Sequence, residues 1–139
     1  MTRFLPAPMI ALTVVFSMAC ANENPSVPKA EESAKAWLAL TDGGRYAESW
    51  DAAASAFKEA ISRSNWEGAV SPVRTPLGAV LSRKVKSATF TRTLPGAPEG
   101  EYVVILFETR FENKPAAIET VTPMRDKDGT WKVSGYFIR

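Results

Sequence analysis

The spacing of apolar residues changes period halfway along this chain. In the first half they recur every three or four positions. Ala30, Ala34, Trp37 and Leu38 fall at i, i+4, i+7 and i+8, one face of a helix, with Glu31, Glu32 and Lys35 largely off that stripe. Asp42-Gly43-Gly44 ends it, because glycine supplies the positive φ that a helix terminus often needs. A second stripe runs through Tyr46, Trp50, Ala53, Phe57 and Ile61. Ser64-Asn65-Trp66-Glu67 has the form of a capping box and opens a third helix, whose apolar face is Trp66, Ala69, Val70 and Val73. Pro72 and Pro76 are expected to kink or end it.

In the second half the period is two. Residues 82–94 are rich in Thr and Val, and residues 101–111 form the strongest strand in the chain. Pro95-Gly96-Ala97-Pro98-Glu99-Gly100 between them is turn chemistry. Residues 116–126 are a third strand, and Asp128-Gly129 turns the chain into a fourth, Thr130 to Ile138. Consecutive strands with short turns predict an antiparallel meander. Helices first and sheet second predict an α+β fold, three N-terminal helices packed on one face of a four-stranded sheet. In the strongest strand Val103, Ile105, Phe107, Thr109 and Phe111 share the face expected to meet the helices. Tyr102, Val104, Leu106, Glu108 and Arg110 share the other, apolar at one end and charged at the other. Such a face suits partial cover, for instance by a second copy of the chain in a homodimer.

The chain has 139 residues, the length of one domain. The folded unit is expected over residues 29–139, because residues 1–28 read differently. Arg3 is the only charge before Glu23, Met9 to Phe16 is a short apolar run, and Ser17-Met18-Ala19-Cys20-Ala21 is a small-residue end. These are the three parts of a secretory signal peptide. The run is far shorter than the ~20 residues that span a bilayer. Cys20 is the only cysteine, and Ser17-Met18-Ala19-Cys20 resembles the lipobox of bacterial lipoproteins. That resemblance implies a signal peptide over residues 1–19 and a lipid on Cys20, with residues 20–28 as a flexible tether. Ser17 departs from the usual Leu at its position. Ala19-Cys20-Ala21 is also an A-x-A site, so ordinary cleavage after Ala21, releasing a soluble periplasmic or secreted protein, stays open. Ala21 after the cysteine implies, by the same resemblance, sorting to the outer membrane, facing the periplasm.

Composition excludes several chemistries. There is no His, which removes His-based triads, His general bases and most zinc sites. Lys+Arg number 17 against Asp+Glu 15, too even for a nucleic-acid binder. A single Cys allows no intrachain disulfide. Asp126-Lys127-Asp128-Gly129 begins like a calcium loop, but its twelfth position is Phe137, where a bidentate Glu is needed, so it reads as a hairpin turn. No Gly-x-Ser-x-Gly motif or phosphate loop is present. No cofactor, metal or catalytic residue is expected. The basic run Arg83-Lys84-Val85-Lys86 reads as a solvated edge strand, with Lys84 and Lys86 on one face and Arg83 on the other.

The order of elements, ending in Asp128-Gly129-Thr130-Trp131-Lys132-Val133-Ser134-Gly135-Tyr136, resembles the cone-shaped fold of the nuclear-transport-factor-two-like and cystatin-like proteins. Trp37-Leu38, Trp50, Pro76-Leu77-Gly78, Gly100-Glu101-Tyr102 and Glu119-Thr120-Val121-Thr122-Pro123 resemble, more closely, a bacterial family called domain of unknown function 4019. The resemblance implies a fold and no activity. In such a cone a ligand sits between helices and sheet, so the aromatic residues Trp37, Tyr46, Trp50, Trp66 and Tyr136 are candidates to line a cavity for a small apolar ligand. Arg110 and Glu119 are candidates to orient a polar group there. Isomerases of this shape use a carboxylate in an apolar cavity, a role for which Glu108, Glu119 and Asp51 are the candidates, although each reads as a surface carboxylate. The expectation is an envelope lipoprotein acting as a binding or interaction module, for a small apolar ligand or an envelope protein. The alternatives are a small isomerase or dehydratase and a structural protein that dimerises through its sheet face.

Overall fold

The computed structural model describes residues 24–139. The leader and Cys20 lie outside the described residues. Four helices come first: α1 Ser26–Asp42, α2 Tyr46–Asp51, α3 Ser55–Ala60 and α4 Arg63–Arg74, followed by a short 3₁₀ turn, Thr75–Leu77. Four strands follow, β1 Val80–Thr91, β2 Tyr102–Phe111, β3 Lys114–Arg125 and β4 Trp131–Ile138, hydrogen-bonded in the order β1-β2-β3-β4, all antiparallel. The fold is the expected α+β arrangement, helices before a four-stranded meander.

The helix count differs from the expected three, for a tertiary reason. The stripe from Tyr46 to Ile61 has unbroken helical spacing, yet the chain opens at Ala52–Ala54 and splits it into α2 and α3. The amide of Ala54 donates to the carbonyl of Val133 on β4 (2.8 Å) instead of continuing the helix. The Asp126 carboxylate, from the β3–β4 end of the sheet, then accepts from the amide and hydroxyl of Ser55 (3.0 Å each) and caps α3. Ala53 and Ala54 are fully buried at this contact. The sheet supplies both partners, so spacing along the helix could not reveal the break.

Three boundaries also move. α1 begins at Ser26, so residues 26–28, expected in the tether, are helical. The cap of α4 is Ser62, whose hydroxyl accepts from the Asn65 amide (3.2 Å), rather than Ser64 with Glu67. The buried face of α4 is Trp66, Val70 and Arg74 at i, i+4 and i+8, whereas Ala69 and Val73 are exposed. α4 also runs through Pro72. Pro72 and the residue four before it, Gly68, are both exposed, so the carbonyl deprived of its helical donor lies on the solvent side.

The face assignment of β2 holds. Val103, Ile105, Phe107, Thr109 and Phe111 are all buried, while Val104, Leu106 and Glu108 are half-buried and Arg110 is exposed. Tyr102, on the outer face, is buried because the 95–100 loop folds over it and its hydroxyl donates to the Pro98 carbonyl (2.7 Å). One core joins Ala30, Ala34, Trp37 and Leu38 of α1 with Phe57, Trp66 and Val70, and with Val103, Ile105, Phe107, Val121 and Val133 of the sheet. All of it lies within residues 30–133, so the described part carries its own core. β1 is an edge strand with Lys84 and Lys86 exposed, as expected.

The turn from helix to sheet hangs on Gly78, with φ 74° and ψ −160°, a backbone region that only glycine occupies readily. A Cβ there would stand 3.0 Å from Cβ of Glu112. Gly78→Ala is therefore expected to destabilise the fold by about 1–3 kcal/mol, read as a lower urea midpoint at unchanged slope. A wild-type midpoint would show that the turn relaxes freely.

Candidate functional site

The interior end of the sheet holds an ionic cluster. Glu119 on β3 alternates with Thr120 and Ile118 and reads along the strand as a surface carboxylate, while the resemblance made it a cavity candidate; its register partner is Phe107, on the core-facing side of β2. It is 0% exposed. A buried carboxylate is tolerated only when paired, and every lone pair that matters here has a donor. Oε1 accepts from Arg83 Nε (2.8 Å) and from the Thr109 hydroxyl (2.5 Å), and Oε2 accepts from the Tyr136 hydroxyl. Arg83, the member of the basic run that points inward, also reaches Asp42 at the end of α1, with Nη1 at 2.7 Å and Nη2 at 2.9 Å. Arg74, in the last turn of α4, donates to Asp42 (2.8 Å) and to the Thr41 hydroxyl (3.0 Å) and lies over the Phe111 ring at 5.0 Å. Two carboxylates thus face two guanidiniums, and the cluster is charge-balanced.

Electrostatics follow from this pairing. For Asp42, burial pushes the carboxyl up, but hydrogen bonds from Arg83 and Arg74 outweigh it and hold it below the ordinary aspartate value. For Tyr136, burial and the adjacent Glu119 push the phenol well above its ordinary value. Because the folded Asp42 value lies below the unfolded one, its stabilisation is complete above about pH 4 and is lost as pH falls from there. Urea midpoints of wild type and Asp42→Asn should differ at pH 7 and converge below pH 4. A gap that stays constant down to pH 3 would show that the Asp42 charge is not what stabilises the cluster.

The candidate cavity residues divide. Trp37, Trp66 and Tyr136 come together with Phe57, with ring centroids 4.9–6.5 Å apart. Their polar tips are satisfied internally: Trp37 Nε1 donates to the Ser49 carbonyl (2.8 Å) and Trp66 Nε1 to the Ser49 hydroxyl (2.9 Å). Trp50 is half-buried, its Nε1 donating to the Ile61 carbonyl (2.8 Å), and Tyr46 packs at the edge of the same core. Glu119 joins this group through Tyr136. Arg110 does not, being exposed on the opposite face of the sheet. Glu108 meets Lys84 at 3.1 Å on that outer face, and Asp51 meets Arg63 at 3.0 Å on the helical surface.

Open clefts lie at the surface of the described residues, and Glu119 does not line the four most pronounced. One, of about 530 Å³, runs between α1 and the β3–β4 hairpin past Lys29, Trp37 and Trp131. Another, of about 560 Å³, lies at the outer end of the sheet and includes Arg110. Asp128 serves the hairpin turn, its Oδ1 accepting from the Thr130 amide (3.0 Å) and hydroxyl (2.7 Å), with Gly129 at φ 81°. No helix of the described residues is long and apolar enough to cross a membrane.

The cluster residues Asp42, Arg74 and Arg83 were not among the candidates. Arg74 had a signal, because it continues the Trp66, Val70 spacing by one more turn. Arg83 had another, its place on the opposite strand face from Lys84 and Lys86. Asp42 had none, since its partners come from α4 and β1.

No curated protein and no solved structure matches the chain. The resemblance to the cone-shaped folds therefore has no solved neighbour behind it. The sequence model of the family described as protein of unknown function (DUF4019) matches residues 33–136, from α1 to β4, and the chain belongs to that family.

Proposed function

We propose that this protein is a binding module, tethered by a lipid on Cys20 to the outer membrane of a bacterial envelope and facing the periplasm, and that it binds on the outside of its sheet. The observation that carries the second half is the asymmetry of the sheet. All four helices are on one face. The interior there is occupied by rings in contact with one another and by a carboxylate whose oxygens are already bonded. Among the described residues, no helix covers the opposite face, which offers half-buried Val104, Leu106 and Ile118 beside Phe137, which is 51% exposed. Such a face suits a ligand or a protein partner. The tether rests on the apolar run Met9 to Phe16 and on Cys20 behind it. Several acyl chains at about 0.8 kcal/mol per buried CH₂ hold a protein firmly to a bilayer.

The test has two parts. Full-length protein and Cys20→Ser are expressed in a Gram-negative host and fractionated. Wild type in the outer-membrane fraction, with Cys20→Ser absent from it, is the expected result. Wild type in the soluble periplasm with Asn22 as its first residue would overturn the tether. Native mass spectrometry of the chain from residue 21 onward then reads binding. A small molecule or partner that is lost on Phe137→Asp or Leu106→Asp is expected. A homodimer lost on the same substitutions would favour the structural role, in which the sheet face pairs with a second copy.

A further inference from the structure

The cleft at the outer end of the sheet is built by irregularities in both ladders that flank Arg110. Between β1 and β2 the register runs from Val80 opposite Phe111 to Ser82 opposite Arg110, which leaves Leu81 as an extra residue. Between β2 and β3 it runs from Thr109 opposite Ala117 to Phe111 opposite Lys114, so Pro115 and Ala116 together face Arg110. Arg110 thus sits between two bulges, one on each neighbouring strand. A bulge bends its strand, re-aims a side chain, and occurs often beside functional sites. Pro115, which has no amide hydrogen, is at home in one. The space opened here is about 560 Å³, within the range of small-molecule sites.

Its chemistry is two-sided. Pro115, Ala116 and Ile118 give an apolar wall. Ser82, Thr109, the carboxylate of Glu108 and three cations line the rest, and two of the cations are already matched: Arg83 by Asp42 and Glu119, and Lys84 by Glu108. Arg110 is exposed and makes no ion pair with any described residue. The Ser82 hydroxyl stands in register opposite it.

We propose that this cleft binds a small soluble anion with an apolar body, a carboxylate or phosphate ester, whose charged head meets Arg110 and whose body lies on Ala116 and Ile118. The proposal rests on the reading of the protein as a binding module and adds the place and the ligand class. Arg110 fits because a planar guanidinium takes carboxylate or phosphate through two parallel hydrogen bonds.

The experiment is calorimetric titration of the chain from residue 21 onward with decanoate, decyl phosphate, decanol and decyltrimethylammonium, below their micelle concentrations. Saturable one-site binding of the two anions is expected, at least about tenfold tighter than decanol, the worth of one charge-assisted contact. Arg110→Gln should abolish that preference and Ile118→Asp should abolish binding. Lys29→Gln, at the other cleft, should change neither. Urea midpoints of the variants near wild type keep the loss separate from unfolding, and Arg110→Lys should restore part of the preference. Decanol binding as tightly as decanoate, or anions bound equally by Arg110→Gln, would overturn the site. Binding only to vesicles containing anionic lipid would also overturn it, in favour of a membrane-surface contact. If the protein carries a co-purifying ligand that Arg110→Gln does not release, the binding-module reading survives and this site fails. If neither ligand nor partner is found, both fail.

Discussion

Glu119→Ala should lower stability by about 3–5 kcal/mol, the largest effect expected of any substitution in the ionic cluster. Removing one partner of a buried pair leaves the other charge uncompensated, which costs more than the pair itself contributes. Here the loss strands Arg83, only 15% exposed at its side chain, and leaves the hydroxyls of Thr109 and Tyr136 without their acceptor. Asp42 still holds Arg83 from the other side, which places the effect nearer the lower end. A double-mutant cycle separates pairing from burial. Arg83→Met with Glu119→Leu should recover much of the loss, since replacing a buried pair by apolar residues is often neutral. Urea melts at pH 7 decide. A Glu119→Ala cost below about 1 kcal/mol would mean that Arg83 swings to solvent without penalty.

Phe107→Ala should cost about 3–5 kcal/mol, because a fully buried ring leaves a cavity that its neighbours fill only partly. Phe107 is buried at the centre of β2, between Val85 of β1 and Glu119 of β3 in the register, and belongs to the core cluster. Lys86→Ala, on the exposed edge strand, should cost less than about 0.5 kcal/mol. Equal midpoints for the two variants would contradict the inward and outward faces of the sheet.

These two substitutions probe different kinds of information. The burial of Phe107 was legible in the sequence. A strand repeats every two residues, and once Val103 and Ile105 are assigned to the core, Phe107, Thr109 and Phe111 must follow. The helical stripes of α1 and the Asp128-Gly129 turn were legible for the same reason, because the signal and the structure are both local. Glu119 was not. It lies in a segment of mixed polarity, where nothing along the strand says which face meets the helices. Its burial depends on a guanidinium 36 residues away in sequence and a phenol 17 residues away.

The order of helices and strands, the meander, the face of β2 that is buried and the solvated edge at Lys84 and Lys86 are properties of the sequence alone, since each follows from backbone periodicity or from the turn chemistry of neighbouring residues. The break between α2 and α3, the inward turn of Arg74, Arg83 and Glu119, and the two bulges that set Arg110 in a cleft were decided only by the tertiary structure. In each case the deciding partner is supplied by another element: the Val133 carbonyl for the helix break, Asp42 for the two arginines, and the mismatched lengths of β1 and β3 for the bulges. Side chains that need a distant partner to be buried, and ladders that must absorb an extra residue, leave no periodic trace in one strand of text. They are settled when the layers close.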